Sequence, residues 1–272
     1  MKRLTLALLF TVVGWQAEAA SIAAHRAIYD IKMLNATDKA HLSAVDGRLA
    51  FEIQGSACDG WTTNFRMATR YSPSDGDAKT IDTQSTSFET PDGLEMQFNQ
   101  KEYTNNQLGD ETRIKASRPD LNSPISGTSG KDTPKPFTVD AGALFPMQHQ
   151  AHLMDMAAKG ESRDSSVIFD GSDDANAFRV ITFIGKKKEP GQNAKDNDNP
   201  NAKPLSAFAS WPMSLSYFPL KNDGDDSDQP TYQISFDMYA NGVASNLVLN
   251  YGDFTLGGQL ANLEIYKPTT CP

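Results

Sequence analysis

The sequence predicts a mainly β protein that is exported from the cytoplasm and carries one short helix. Three observations support this reading. Apolar and polar side chains alternate with period two along many short stretches. Turn residues separate those stretches. A helical period occurs once, at 146–159.

The chain start is read as a leader. Lys2 and Arg3 precede an apolar run from Leu4 to Val13, and Ala17 and Ala19 occupy the two positions a signal peptidase reads. The run is about half the ~20 residues a membrane helix needs, so residues 1–19 are expected to be a cleaved signal peptide rather than an anchor. No cysteine follows the run, so the lipoprotein signal is missing. No later stretch is long and apolar enough to span a bilayer. The expectation is one domain, 20–272, located in the periplasm and not integral to a membrane.

Strands are expected at 24–34, 48–53, 61–70, 80–89, 94–103 and 111–116. In the third, Trp61, Thr63, Phe65 and Met67 share a face. The dipeptide Asp92-Gly93 after Pro91 marks a turn between the fourth and fifth. The strongest local signal is a hairpin near the chain end. Tyr232, Ile234, Phe236 and Met238 lie on one face of 231–239. Asn241 and Gly242 suit a type I′ turn, and Leu247, Leu249 and Tyr251 alternate on the return. A last strand is expected at 260–266.

Two stretches read as loops. Residues 117–136 are rich in Pro, Ser, Gly and Thr. Residues 186–204, KKKEPGQNAKDNDNPNAKP, have almost nothing to bury and are expected to form a mobile surface loop. Residues 223–228 are expected to form a short acidic turn. The helix is expected from Pro146 to Lys159. Pro146 suits its first turn, Leu153, Met156 and Ala157 recur at helical spacing, and Gly160 follows as a cap. Its expected role is to cover an open sheet.

The chemical candidates are weak. His149 and His152 lie three apart on one helix face and could bind zinc only with further ligands, so packing is the favoured reading. The segment from Asp170 to Asp174 lacks the ordered oxygen ligands of a calcium loop. His25 and His41 show no triad partner. No nucleophile elbow, P-loop or dinucleotide fingerprint occurs. The expectation is therefore a protein without catalytic residues, cofactor or metal.

The full chain has a formal charge of −9, and loss of Lys2, Arg3 and Glu18 leaves it slightly more acidic. Such a surface repels nucleic acid. Cys58 and Cys271 are the two cysteines. An even count in an oxidising compartment favours one disulfide over two buried free thiols.

Several segments carry a family resemblance. They are 24–29 (AHRAIY), Gly47-Arg48, Phe51-Glu52, and 55–61 (GSACDGW) with Asn64 and Arg66. To these are added Phe145-Pro146 with His149, 169–173 (FDGSD), 230–243, 249–254 and Cys271. Together they resemble the cell envelope integrity protein B family of Gram-negative bacteria. Ala24 stands where that family has a proline. The resemblance implies a periplasmic protein with a strongly curved, spiral-like antiparallel β-sheet and one short helix. It also implies a disulfide between Cys58 and Cys271 and a role in keeping the envelope intact. It brings no catalytic residues. The expected function is that of a binding or scaffold protein for an envelope partner. The alternative is a carrier of lipid or lipoprotein acyl chains in the concave face of the sheet.

Overall fold

A computed structural model describes residues 22–173, 175–220 and 229–268. The expected leader, Asp174, the 223–228 turn and Cys271 lie outside the described residues.

The first part of the chain forms strands β1 (His25–Ala36), β2 (Leu42–Ser56), β3 (Gly60–Pro73) and β4 (Lys79–Glu89). Strands β5 (Glu95–Thr104), β6 (Gln107–Ser117), β7 (Ile125–Ser129) and β8 (Lys135–Val139) follow. Helix α1 (Pro146–Ala158) then leads into β9 (Arg163–Ile168) and β10 (Ala177–Ile184). A short helix α2 (Ala194–Asn197) and a 3₁₀ helix (Pro200–Ala207) precede β11 (Ser210–Leu220), β12 (Tyr232–Tyr239), β13 (Ala244–Asn250) and β14 (Phe254–Ile265).

The fourteen strands of the described residues join one sheet in the order β8-β7-β6-β5-β4-β3-β2-β1-β14-β13-β12-β11-β10-β9. Every ladder is antiparallel, and β1 pairs with β14 from His25↔Ile265 to Ala36↔Phe254. The first and last strands thus lie inside the sheet. Its two edges are β8 and β9, the strands that flank α1.

The sheet is open but rolled. Met67 of β3 and Leu249 of β13 belong to one apolar cluster, although three strands separate them. A second cluster joins Leu153 and Met154 of α1 to Val180, Met213 and Met238. A third joins Met96, Ile114 and Ile125 to Phe169 and Ala177. The two ends of the sheet therefore meet through side chains rather than through a ladder. At the seam, Leu144 makes a parallel bridge to Ile168, with hydrogen bonds of 2.8 and 2.9 Å.

Helix α1 begins and ends for local reasons. Pro146 needs no N–H partner, and the Gln148 side chain accepts the Phe145 N–H at 3.2 Å. Lys159 is the last capping residue, and Gly160 takes φ 79°, which a side chain would resist.

Three expectations are corrected. Residues 117–136 are not one loop, because β7 and the start of β8 lie within them. Each contributes a single deeply buried apolar residue, Ile125 and Val139, which is too little for a visible alternation. The 186–204 segment does not lack something to bury. It enters α2 and the 3₁₀ helix, where Ala202 and Leu205 are buried in the first cluster, and Asn193, Asp196 and Asn199 are buried as well. The β12–β13 connection is not a two-residue type I′ turn. Only Gly242 takes positive φ there, and Tyr239 N–H bonds to the Val243 carbonyl at 2.9 Å. This is a three-residue loop with glycine in the left-handed position.

Cys58 lies in the tight β2–β3 connection, where its N–H donates to Ser56 Oγ at 3.2 Å. It is not a free thiol.

Candidate functional site

Rolling the sheet leaves an apolar cavity of about 500 Å³ between β1–β3 on one side and β12–β13 on the other. This falls within the range of ordinary ligand pockets, about 300–1,000 Å³. The hairpin face expected from alternation supplies one wall, through Ile234, Phe236, Met238, Leu247 and Leu249. Phe65 and Met67 of β3 face them across the cavity, with Leu49 and Phe51 of β2 alongside. Trp61 and Thr63, on the same face of β3, do not reach it.

The inner end is closed by β1. Tyr29 is 2% exposed and donates its hydroxyl to the Ala244 carbonyl at 2.7 Å. Burial raises its phenol pKa, so the group stays protonated. His25 is 1% exposed, and its Nδ1 lies 2.7 Å from the Ala23 carbonyl. That contact places the proton on Nδ1, and burial lowers the pKa, so the imidazole is neutral. Its ring meets Phe51 edge-on at 6.3 Å. Helix α1 contributes Gln150, whose side chain donates to the Gly242 carbonyl at 2.9 Å and ties the helix to the hairpin loop.

The outer end is aromatic. Tyr232 and Tyr251 line it beside Ser172. Tyr217 stacks on Tyr232 with ring centres 4.4 Å apart, and Tyr251 stacks on Phe254 at 5.0 Å. Aromatic contacts of this kind stabilise the ladder between neighbouring strands.

The histidines of α1 stand apart from the cavity lining. His152 Nε2 contacts Asp164 Oδ1 of β9 at 2.9 Å, and Ser166 Oγ donates to Asp164 Oδ2 at 2.7 Å. Serine and histidine both engage the carboxylate rather than each other, so the histidine does not activate the serine. His149 is buried, its Nε2 has no hydrogen-bond partner, and burial lowers its pKa to about 4. Among the described residues no group of three His, Cys, Asp or Glu side chains could hold a metal ion. No described helix is long and apolar enough to cross a membrane.

A smaller polar cavity of about 220 Å³ lies under α2. Its Asp196 accepts hydrogen bonds from Tyr239 and Ser245 hydroxyls at 2.6 Å each, and from Asn193 and Asn246 amides at 3.0 and 3.2 Å. Lys188 pairs with Asp237 at 2.7 Å close by. These groups satisfy one another and bind the 186–207 segment to the sheet.

Sequence alternation alone located half of the large cavity. It missed His25, which looked like a histidine without partners, and Tyr29 and Leu49, which are ordinary strand residues. Only the rolling of the sheet brings β1–β3 against β12–β13.

Fold and cavity together define a barrel-like, open antiparallel β protein with an apolar interior. The chain belongs to the EipB-like family, whose model matches residues 16–267. It is 34% identical over 251 residues to the cell envelope integrity protein EipB of Brucella abortus (strain 2308), covering 92% of this chain and 86% of that protein. It is also similar to the crystal structure of a beta-barrel-like protein of a domain of unknown function from Brucella abortus. That likeness has a TM-score of 0.81 at 30% identity and covers 91% of this chain and 99% of the other.

Proposed function

We propose that this is a non-catalytic periplasmic binding protein needed for cell envelope integrity, and that the large cavity is where it binds. The observation that carries the reading is the cavity itself. Its walls are apolar and aromatic, and its few polar groups are held neutral or bonded to backbone. Such a site offers burial rather than bond-making. The named role of the relative from Brucella abortus supports the envelope assignment, and the leader-like start of the chain supports the periplasm. The Cys58–Cys271 disulfide belongs to the same reading. Cys58 is not a free thiol, and the chain has one other cysteine. The test is depletion in the native host, scored on detergent and on a β-lactam. Sharp sensitisation is expected, and unchanged survival on both would refute the role.

A second reading is favoured by the aromatic and aliphatic lining, which suits an acyl chain. In it the protein carries lipid or lipoprotein acyl chains. Gently extracted protein should then retain lipid in native mass spectrometry, and its repeated absence counts against the carrier.

A further inference from the structure

We propose that the cavity takes an aliphatic ligand carrying an uncharged hydroxyl, and that this hydroxyl donates to Nε2 of His25 at the buried end. The inference rests on the reading of the cavity as the binding site and adds what its ligand must carry.

The first argument is the state of His25. The Ala23 carbonyl can only accept, so Nδ1, 2.7 Å away, donates to it and Nε2 is left as a bare acceptor. Burial lowers the pKa and keeps the ring in that neutral form. The two ring nitrogens lie on opposite sides of the imidazole, so Nε2 points away from Ala23. Among the described residues it has no hydrogen-bond partner. Unlike Nε2 of His149, it is not sealed off. His25 lines the cavity and is 1% exposed, so the opening that Nε2 meets is the cavity.

The second argument is that this acceptor is held in place and the protein offers it no proton. His25 lies opposite Ile53 of β2 and Ile265 of β14, with ladders on both sides. The Ala23 N–H bonds to the Asn241 carbonyl at 2.9 Å, and Gln150 bonds to the carbonyl of the next residue, Gly242. Histidine and glutamine are thereby fixed to one hairpin loop. The Gln150 amide nitrogen donates to Gly242, and its Oε1 accepts nothing among the described residues. It is a second open acceptor on the cavity wall. The Tyr29 hydroxyl has its proton on the Ala244 carbonyl and cannot supply one.

The third argument is charge. No Lys, Arg, Asp or Glu side chain lines the cavity. A carboxylate or ammonium brought to His25 finds no counter-charge, and desolvating it there is costly. A chain with no donor leaves the nitrogen unpaired, which is also costly. A hydroxyl satisfies the nitrogen without either cost, and a site built to bond a hydroxyl rejects the analogue lacking it. Met238, Leu247 and Leu249 then receive the aliphatic part.

The test measures displacement of an apolar fluorescent dye from the purified mature protein by dodecanol and by dodecyl methyl ether. The ether keeps the chain and loses the donor. Dodecanol should bind about tenfold more tightly, and in H25F the ratio should fall towards one. Because H25F also gives up the Ala23 contact, a second readout uses the wild type. Nitrogen NMR of histidine-labelled protein should show the Nε2 signal of His25 moving upfield with dodecanol and staying in place with the ether. Equal affinities for alcohol and ether overturn the hydroxyl inference and leave the cavity reading standing. A His25 signal that ignores the alcohol also overturns it, as does displacement by neither compound. Failure of the dye itself to bind refutes the cavity reading and the inference with it.

Discussion

Glu89, at the end of β4, caps helix α1 from 58 residues away: both of its carboxylate oxygens accept the Met147 N–H, at 3.0 and 3.1 Å. Phe145 occupies the N-cap position and has no oxygen to offer, so the orphan N–H of the first turn is satisfied across the fold instead. Burial raises the Glu89 pKa from 4.5 to about 7. The folded state therefore holds a proton that the unfolded state releases. Stability from this group is full below pH 4.5 and is lost as pH rises through about 7. The loss should approach 3 kcal/mol at most. Urea unfolding of the wild type should show this fall, and E89Q, which cannot ionise, should flatten it. A wild-type profile that is flat or rises with pH would falsify the assignment.

Arg118 fixes the same end of the helix. It donates to the Gly93 carbonyl at 2.9 and 3.1 Å, to the Ala143 carbonyl at 2.7 Å and to Gln148 Oε1 at 2.7 Å, and its guanidinium lies 5.1 Å from the Phe145 ring centre. It thereby joins the β4–β5 turn, the seam and α1. R118M leaves several buried acceptors unpaired and should cost about 3 kcal/mol or more. R118K should recover little, because an ammonium cannot span the same fork. Full stability of R118K in thermal melts would show that the fork is not what matters.

These two residues show where the sequence is legible and where it is not. The helix ends were readable because Pro146 and Gly160 act on their own backbone. The cap was not, because Glu89 and Met147 meet only when the sheet rolls. The same division holds for the cavity. The face of Tyr232, Ile234, Phe236 and Met238 follows from period two, whereas its opposition to Phe65 and Met67 depends on the curl. The 186–204 segment misled for a related reason. Its polar composition resembles that of a solvated loop, yet Asn193, Asp196 and Asn199 are buried by partners remote in the chain, such as Tyr239 and the Leu260 carbonyl. Strand β9 carries too few apolar residues to alternate, and Ala177–Ile184 is apolar on both faces. Strand β11 does alternate through Trp211, Met213, Leu215 and Tyr217, but its two prolines, Pro212 and Pro219, argue against a central strand.

Filling the cavity should separate binding from folding. Ala244 lines it, and only its carbonyl is used by Tyr29. A244F projects a ring into the empty space without removing a hydrogen bond. Affinity for an apolar dye should fall at least tenfold, about 1.4 kcal/mol, while the melting temperature holds. Unaltered dye binding would place the ligand elsewhere.

The disulfide has a direct chemical readout. Mature protein taken from the periplasm and denatured without reductant should show no titratable thiol. Because the loop between Cys58 and Cys271 spans most of the chain, C58S should lower stability by up to about 5 kcal/mol in the chain-entropy limit. Two free thiols in fresh periplasmic material would dismiss the pairing.

Asp196 is the anchor of the inserted segment. It is 7% exposed and accepts four side-chain hydrogen bonds, two of them from Tyr239 and Ser245 hydroxyls. Asparagine at this position turns an acceptor toward a donor and strands one of those hydroxyls. D196N should therefore cost about 2 kcal/mol. The effect should be local, because Leu205 holds the segment through its own burial, worth roughly 2 kcal/mol. Hydrogen exchange should rise across 186–207 in D196N before it rises in β12 and β13. The double variant D196N/L205A should free the segment to proteolysis while the rolled sheet persists. Simultaneous loss of protection throughout the sheet would instead make this segment part of the global folding unit rather than an insert fastened to it.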